Sequence, residues 1–275
     1  MPAPSPSPAL DDAVKVELLR LALDTGREVG EELGRVRSVG VPAAETKTSH
    51  TDMVSAMDVW AEQRIVERLL AVRPDDGVLG EEGTALAGTS GVRWCVDPID
   101  GTTNYLYDHP GYSVSIAALV DGEPVVGVVV DPLLGQVFSA VAGHGAWRDN
   151  QPIRVSTVAD LSVALAGTGF SYDAARRRRQ AEVLARVIPH VRDIRRMGGA
   201  AVDLCSVGCA RLDVFYERGL NLWDVAAGGL IAREAGALVT DIEGRPSWSG
   251  MVVAAPPALH EPLLELLREA GAGTA

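Results

Sequence analysis

Apolar residues recur at helical spacing from Asp11 to about Leu33, through Val14, Leu18 and Ala22, and again from Met57 to Leu70, through Val59 and Val66. The pattern predicts two leading amphipathic helices. Between them VGVPAAETKTSHTD is polar and broken by Pro42, which predicts a loop with short strands at most, carrying Lys47. The period then shortens to that of strands in RWCVD (93–97), YSVSIAALV (112–120), PVVGVVVD (124–131) and GQVFSAV (135–141), with DGEP as a hairpin turn. Such a meander makes a sheet that is at least partly antiparallel.

The second half alternates differently. A strand in VALAGTGF leads to a helix from about Ala174 to Val187, then a short strand in DIRRM, a helix in GGAAVDLCSVGCA and a strand in LDVFYE. A helix from Trp223 to Ala235, strands in ALVTD and MVVAA and a closing helix from Pro257 to Ala270 complete it. Helices and sheets of this order stack in several layers, an α/β (α+β) class. No internal repeat or long linker divides the chain. The expectation is a single domain over 11–275, made of two closely packed lobes at about 11–155 and 156–275. The preceding residues, MPAPSPSPAL, form a Pro/Ser-rich tail expected to be disordered, without the basic and apolar regions of a signal peptide.

Composition narrows the partners. The formal net charge of −12 opposes general attraction to nucleic acid or to anionic membrane. The chain also lacks an apolar run of about 18 residues that would span a bilayer. A phosphate-bearing ligand would therefore have to be drawn in locally, by a cation, a helix start or a few bases. Cys95, Cys205 and Cys209 make an odd count that suits a reducing compartment, and the cytoplasm is expected. Cys205 and Cys209 lie four apart and could share a metal. Without a further Cys or His nearby they read instead as two small buried hydrophobes.

Candidate chemistry concentrates in WCVDPIDGTTNY (94–105). Asp97 ends an apolar strand, and Pro98 and Ile99 are expected to turn the chain so that Asp100 converges on the same point. Gly101 permits close backbone approach, and Thr102 and Thr103 suit a helix start, whose N–H groups receive anions. Carboxylates beside an anion-receiving turn repel phosphate unless cations stand between, so the economical reading is a site where metal ions bridge protein carboxylates and phosphate oxygens. Glu81 and Glu82 in VLGEEG add acid, although such a pair is ordinarily solvated. Asp224 in LNLWDVAAGG adds more, although Asp in a first helical turn is ordinary capping.

Taken in order, GEEG, WCVDPIDGTTN and LWDVAAGGLIAREAGA resemble the inositol monophosphatase family of magnesium-dependent, lithium-sensitive phosphatases. The resemblance runs from about Lys47 to Thr240, through DMVSAMD, GYSVSIAAL, GVVVDPLLGQVFSAVAGHGAW and RRMGGAAVDLCSVGCARLDVFYE. It implies a layered αβαβα sandwich of the inositol monophosphatase and fructose-1,6-bisphosphatase type, with a mixed, largely antiparallel first sheet and a smaller second sheet between helices. It implies that Glu81, Asp97, the Ile99 carbonyl, Asp100 and Asp224 hold two or three Mg²⁺, an all-oxygen set unlike that of zinc. Gly101 and Thr102 would receive the phosphate through backbone N–H groups. Asp58, matching the acidic partner of the motif threonine, would with Thr102 and Glu82 orient a water for in-line attack, and Lys47 matches a basic residue near the site.

The same resemblance places substrate contacts at Glu81, Ile99, Asp100, Gly101, Thr102, Gly198, Gly199, Ala200, Glu217 and Asp224. The implied reaction is hydrolysis of inositol 1-phosphate, a small phosphorylated polyol, by a homodimer that binds neither nucleic acid nor membrane. Two positions depart from the common pattern: Gly199, where a hydroxyl-bearing residue is frequent, and Tyr105, where phenylalanine is frequent. The first leaves substrate preference open among inositol phosphate, histidinol phosphate, fructose 1,6-bisphosphate and 3′-phosphoadenosine 5′-phosphate. AARRRRQ (174–180) is the one dense basic run and reads as an exposed helix face or subunit contact before a phosphate site. A haloacid dehalogenase reading of DPIDGTT fails on the three-residue step from Asp97 to Asp100. A metal-dependent sensor or interaction scaffold without turnover is the non-enzymatic alternative.

Overall fold

The computed structural model describes residues 10–39, 45–46, 53–54 and 56–273; residues 1–9 of the tail and Lys47 lie outside the described residues, whereas Leu10, expected to belong to the disordered tail, packs against the first core. Helix α1 (Asp12–Val39) begins where the Ala13 N–H donates to the Asp11 carboxylate at 2.9 Å, and it runs past Leu33. The pair β1 (Glu45–Thr46) and β2 (Met53–Val54) precedes α2 (Ala56–Val72). Then come β3 (Gly77–Gly80), β4 (Ala85–Leu86), β5 (Val92–Asp100), α3 (Thr102–Leu106), β6 (Ser113–Val120), β7 (Glu123–Asp131), β8 (Gln136–Val141), β9 (Gly145–Arg148) and β10 (Gln151–Pro152). The second half comprises β11 (Leu165–Thr168), α4 (Ala174–Val187), β12 (Asp193–Arg195), α5 (Ala200–Gly208), β13 (Val214–Leu220), α6 (Leu222–Glu234), β14 (Leu238–Thr240), β15 (Gly250–Ala255) and α7 (Pro257–Glu269).

The first sheet has eight strands in the order β10-β9-β8-β7-β6-β5-β3-β4, and the second has five in the order β12-β11-β13-β15-β14. In the first sheet only β3 and β5 run parallel, so the mixed, largely antiparallel expectation holds. The GVLG stretch before GEEG, read from the sequence only as an apolar step, is strand β3. The expected turn at Pro98–Ile99 is instead a bulge: β5 continues through Asp100, and its register against β6 shifts between Asp97 and Asp100. A bulge re-aims side chains without ending the strand.

Period-two sorting explains the layers. Trp94 and Val96 of β5, with Val114, Ile116 and Ala118 of β6, face Leu18, Ala22 and Val29 of α1 and Ala61, Ile65 and Leu69 of α2. Cys95, Ala117 and Leu119 face the other way, onto Ala201 and Cys205 of α5 and Ala226, Ala227 and Leu230 of α6. The far sides of α5 and α6 pack on the second sheet through Leu204, Val225, Phe215 and Val252. That sheet's outer face is covered by α4 and α7 through Val183, Leu259 and Leu263. A helix with two sheets to satisfy must be apolar all round, and α6 is buried from Val225 to Ala232. Gly228 lets α5 and α6 touch backbone to backbone, since a Cβ there would sit 2.7 Å from the Ala201 carbonyl. Cys205 is buried and unpaired, as expected of a small hydrophobe, whereas Cys209, expected to be buried with it, is only half-buried. Among the described residues no helix is long and apolar enough to cross a membrane.

Candidate active site

A cavity of about 530 Å³ opens between the two sheets. The ends of β3 and β5 and the starts of α3, α5 and α6 all reach it. Glu81 follows β3 and is anchored by its N–H to the Val96 carbonyl at 3.1 Å. Asp97, Ile99 and Asp100 come from the bulged end of β5, Gly101 and Thr102 from the turn into α3, Gly198 and Ala200 from the start of α5, Glu217 from β13 and Asp224 from the first turn of α6; all line the cavity. Asp58, Glu82 and Gly199 do not. Asp58 is fully buried and reaches the site through Thr102, whose Oγ1 donates to Asp58 Oδ1 at 2.9 Å and lies 3.1 Å from the Ile99 carbonyl. A second cavity, of about 570 Å³ beside α1, is lined by Arg37, Tyr112 and Asp131 and holds none of these residues.

Each carboxylate is fixed by local backbone. Asp97 is 2% exposed, and its Oδ1 accepts from the Ile99 N–H at 3.1 Å across the bulge. Asp100 accepts from the Ala200 and Ala201 N–H groups at 3.0 and 2.9 Å, so the start of α5 orients it. Gly199 makes room for this contact, because a Cβ there would lie 2.7 Å from Asp100 Oδ2. Asp224 Oδ2 accepts from the Asn221 N–H at 2.6 Å, so it caps α6 and lines the cavity at once. Gly101 is obligatory on two grounds: its φ is 88°, and a Cβ would sit 2.6 Å from the Gly111 carbonyl.

Burial governs the electrostatics. It raises Asp97 well above the ordinary carboxylate range, with Glu81, Asp100 and Asp224 adding repulsion and Glu81 sharing a hydrogen bond that requires a proton between the pair. Burial likewise raises Asp224 strongly, against the opposing Asn221 N–H. Asp100 rises only to about 6, because burial is opposed by the amides of Ala201 and Ala200. Glu217 is pushed up to about 7 by burial, with Arg196 pulling the other way. Among the described residues no three His, Cys, Asp or Glu side chains form a ready-made metal cage. The donor set nonetheless fits a hard cation. It is all oxygen and it is gathered around one cavity, where burial, with mutual repulsion added to it, raises Asp97, Asp100 and Asp224, a charge cost that a bound cation would relieve.

Several functional positions escaped sequence reasoning. Glu62, 2% exposed on α2, accepts from the Glu82 N–H at 2.7 Å and the Thr84 N–H at 3.0 Å, and so holds the loop that presents Glu81. A signal for it existed: with Asp58 it occupies a face otherwise made of Ala61, Ile65 and Leu69, an acid at a core position. Asn104 donates from Nδ2 to the carbonyls of Pro110, Gly111 and Met197 at 3.0, 2.8 and 2.6 Å, pinning α3 to the approach of α5. Tyr172, Arg176 and Arg196 also line the cavity. Within the basic run, Arg176 is exposed, as expected, and also faces the cavity.

With this geometry in hand, comparison with known proteins is specific. The model of the inositol monophosphatase family matches residues 15–272. The chain is 44% identical over 250 residues to the inositol-1-monophosphatase of Mycobacterium leprae, covering 87% of this chain and 85% of that protein. It is 38% identical over 255 residues to a Nus factor SuhB of Pasteurella multocida, covering 91% and 96%. The crystal structure of the extragenic suppressor protein suhB from Bartonella henselae superposes with a TM-score of 0.87 at 33% identity, covering 92% of this chain and 99% of that one.

Proposed function

The chain belongs to the inositol monophosphatase family, and from that premise we propose that it is a phosphomonoesterase hydrolysing inositol 1-phosphate to inositol and phosphate. The observation that carries this reading is one cavity in which Glu81, Asp97, Asp100 and Asp224 stand beside the Gly101–Thr102 turn. The chemistry supplied by two or three bound Mg²⁺ is neutralisation of carboxylate charge, polarisation of the phosphate and a lowered pKa for water. Glu81, Asp97, Asp100, Asp224 and the Ile99 carbonyl are the groups that would hold these ions.

The protein's own residues do the rest. The N–H groups of Gly101 and Thr102 at the start of α3 receive phosphate oxygens. Thr102 spends its proton on Asp58, so its oxygen is left to accept from a water and aim that water's lone pair at phosphorus. Glu82, held by Glu62 through its backbone, is the second acid of this group. At the leaving-group end, Glu217 lies over Gly169, where a Cβ would collide with it, and it accepts hydrogen bonds from adjacent polyol hydroxyls. Gly198, Gly199 and Ala200 shape that end of the cavity. No phosphoenzyme is required.

The reading extends to a single domain, supported by the sharing of α5 and α6 between both sheets: cutting the chain between lobes strips one face of each. It extends also to a homodimer in the reducing cytoplasm, for which the three unpaired cysteines support the compartment. Phosphate release from inositol 1-phosphate, histidinol phosphate and fructose 1,6-bisphosphate, with and without Mg²⁺, tests the reaction. A tenfold preference for histidinol phosphate would overturn the substrate assignment. A second reading, that the site serves sensing or interaction without turnover, draws on relatives named Nus factor. Release above that of Asp100→Asn excludes it as the sole role.

A further inference from the structure

Helix α3 is five residues long, too short to be held by its own hydrogen bonds. The Gly101–Thr102 turn that opens it must nonetheless be placed to within about 0.5 Å for its amides to meet a phosphate. The turn is therefore fixed by whatever grips the other end of α3. That end closes as a helix stop: the His109 N–H donates to the Asn104 carbonyl at 2.8 Å, and Asp108 takes the left-handed conformation with a φ of 55°. The chain then folds back, and the Gly111 carbonyl comes up behind Gly101, 2.6 Å from where a Cβ on that glycine would be. The loop that ends α3 thus also backs the turn that begins it.

Arg37 grips this loop from outside. It stands in the last turn of α1, its side chain is only 5% exposed, and it is not among the residues that line the active-site cavity. Its Nη2 donates to the His109 carbonyl at 2.9 Å and to the Asn104 carbonyl at 3.5 Å, where a cation complements the carbonyl end of the helix. The same nitrogen lies 3.2 Å from Asp108 Oδ1, and the guanidinium carbon is 4.7 Å from the centre of the Tyr112 ring. Nε and Nη1 are buried without a hydrogen-bond partner, a cost that an apolar side chain in the same place would not carry. What the arginine adds is Nη2 and its charge. Tyr105 of α3 supplies a second tie, its ring packing on Tyr112 at 5.1 Å and its hydroxyl donating to the Leu33 carbonyl of α1 at 3.3 Å.

We infer that Arg37 is a positioning residue for the reaction: from α1 it holds the 107–112 loop against Gly101, and so sets the affinity of the Gly101–Thr102 turn for phosphate. The inference rests on the reading of that turn as the phosphate receiver. Arg37 acts through the two carbonyls, and its loss is felt in KM and in product affinity. Its pairing with Asp108 contributes little, because the Asp108 side chain is 92% exposed and water screens the pair.

The test uses the full chain with Mg²⁺ and compares wild type, Arg37→Met, Arg37→Lys and Asp108→Asn. Steady-state kinetics on inositol 1-phosphate separate KM from kcat. Calorimetry gives the Kd of inorganic phosphate, the product, for the folded fraction even where a variant is partly unfolded. Arg37→Met should raise both KM and the phosphate Kd about tenfold, about 1.4 kcal/mol. Arg37→Lys keeps the charge and a donor and should recover part of this loss, while Asp108→Asn should stay within about twofold of wild type. A merely structural arginine would lower the thermal midpoint and kcat through the amount of folded enzyme and leave KM and Kd unchanged; that result would overturn the inference. So would Asp108→Asn losing as much as Arg37→Met, which would put the effect on the ion pair and not on the carbonyls. Phosphate binding in wild type without turnover of inositol 1-phosphate would sink the hydrolase reading alone, and the Kd comparison would still decide the role of Arg37. A wild type that binds no phosphate would sink the reading of the turn and the inference with it.

Discussion

The acidic wall and the basic rim of the cavity are built on opposite principles. Asp97, Asp100 and Asp224 are each fixed by a backbone N–H from their own or a neighbouring element, and burial holds their pKa values up. Arg176, in the first turn of α4, and Arg196, on the segment entering α5, are exposed and have no carboxylate partner among the described residues. The wall is thus preorganised for cations at a cost in self-repulsion, whereas the rim keeps its charge available to solvent and ligand. Chemistry common to phosphate esters belongs to the first.

That contrast can be broken most sharply on the wall. Asp97→Asn or Asp100→Asn should lower Mg²⁺-dependent turnover by at least about 10²–10³-fold, the scale of losing one preorganised electrostatic group. The fold should survive, since Asn keeps an oxygen for the Ile99 N–H at position 97 and for one of the Ala200 and Ala201 N–H groups at position 100; circular dichroism and steady-state kinetics check both halves. Glu62→Ala acts one step back. It leaves the Glu82 and Thr84 amides without their acceptor and should cost about 10–100-fold in Mg²⁺ affinity or activity, read from the Mg²⁺ concentration giving half-maximal rate. Gly101→Ala forces a non-glycine residue into φ 88° against the Gly111 carbonyl. About 1–3 kcal/mol of strain follows, or a few degrees in thermal midpoint, together with a loss of phosphate affinity.

The wall also dictates the pH behaviour of the metal-free protein. Asp100 moves from 3.8 to about 6 and Glu217 from 4.5 to about 7 on folding. The folded chain therefore binds more protons than the unfolded one through that window. Stability contributed by these groups is present below about pH 4 and is lost as pH rises toward 7. Thermal midpoints in EDTA across pH 4–8 should show this fall in wild type and a shallower one in Glu217→Gln. The smallest effect belongs to the rim: Arg176→Gln should hardly move the midpoint, because an exposed residue without an ion-pair partner carries little stability.

How much could be read from the chain follows the same division. Asp97, Asp100, Gly101 and Thr102 are contiguous, so their chemistry was visible in one stretch. Glu81 and Asp224 joined them through motif order. The layers were legible because strands covered on both faces and helices apolar all round announce burial on two sides, as β6 and α6 do. The bulge at Pro98–Ile99 was not legible. A proline after an apolar strand signals a turn equally well, and only pairing with β6 decides between them. Strand β3 was missed because Gly77–Gly80 is too short to show a period. In the run from Arg176 to Arg179 nothing local distinguishes the side chain that enters the cavity. That choice is made by Gly219, far along the chain, where a Cβ would be 2.9 Å from Arg176 Nη1.

The central claim is that the buried carboxylates are gathered to hold cations. Its most direct test is the thermal midpoint at pH 8, with and without Mg²⁺, of wild type and Asp97→Asn. The account predicts a marked Mg²⁺-dependent rise in wild type and little rise in the variant. A wild-type midpoint indifferent to Mg²⁺, or a variant that responds as strongly as wild type, would contradict it.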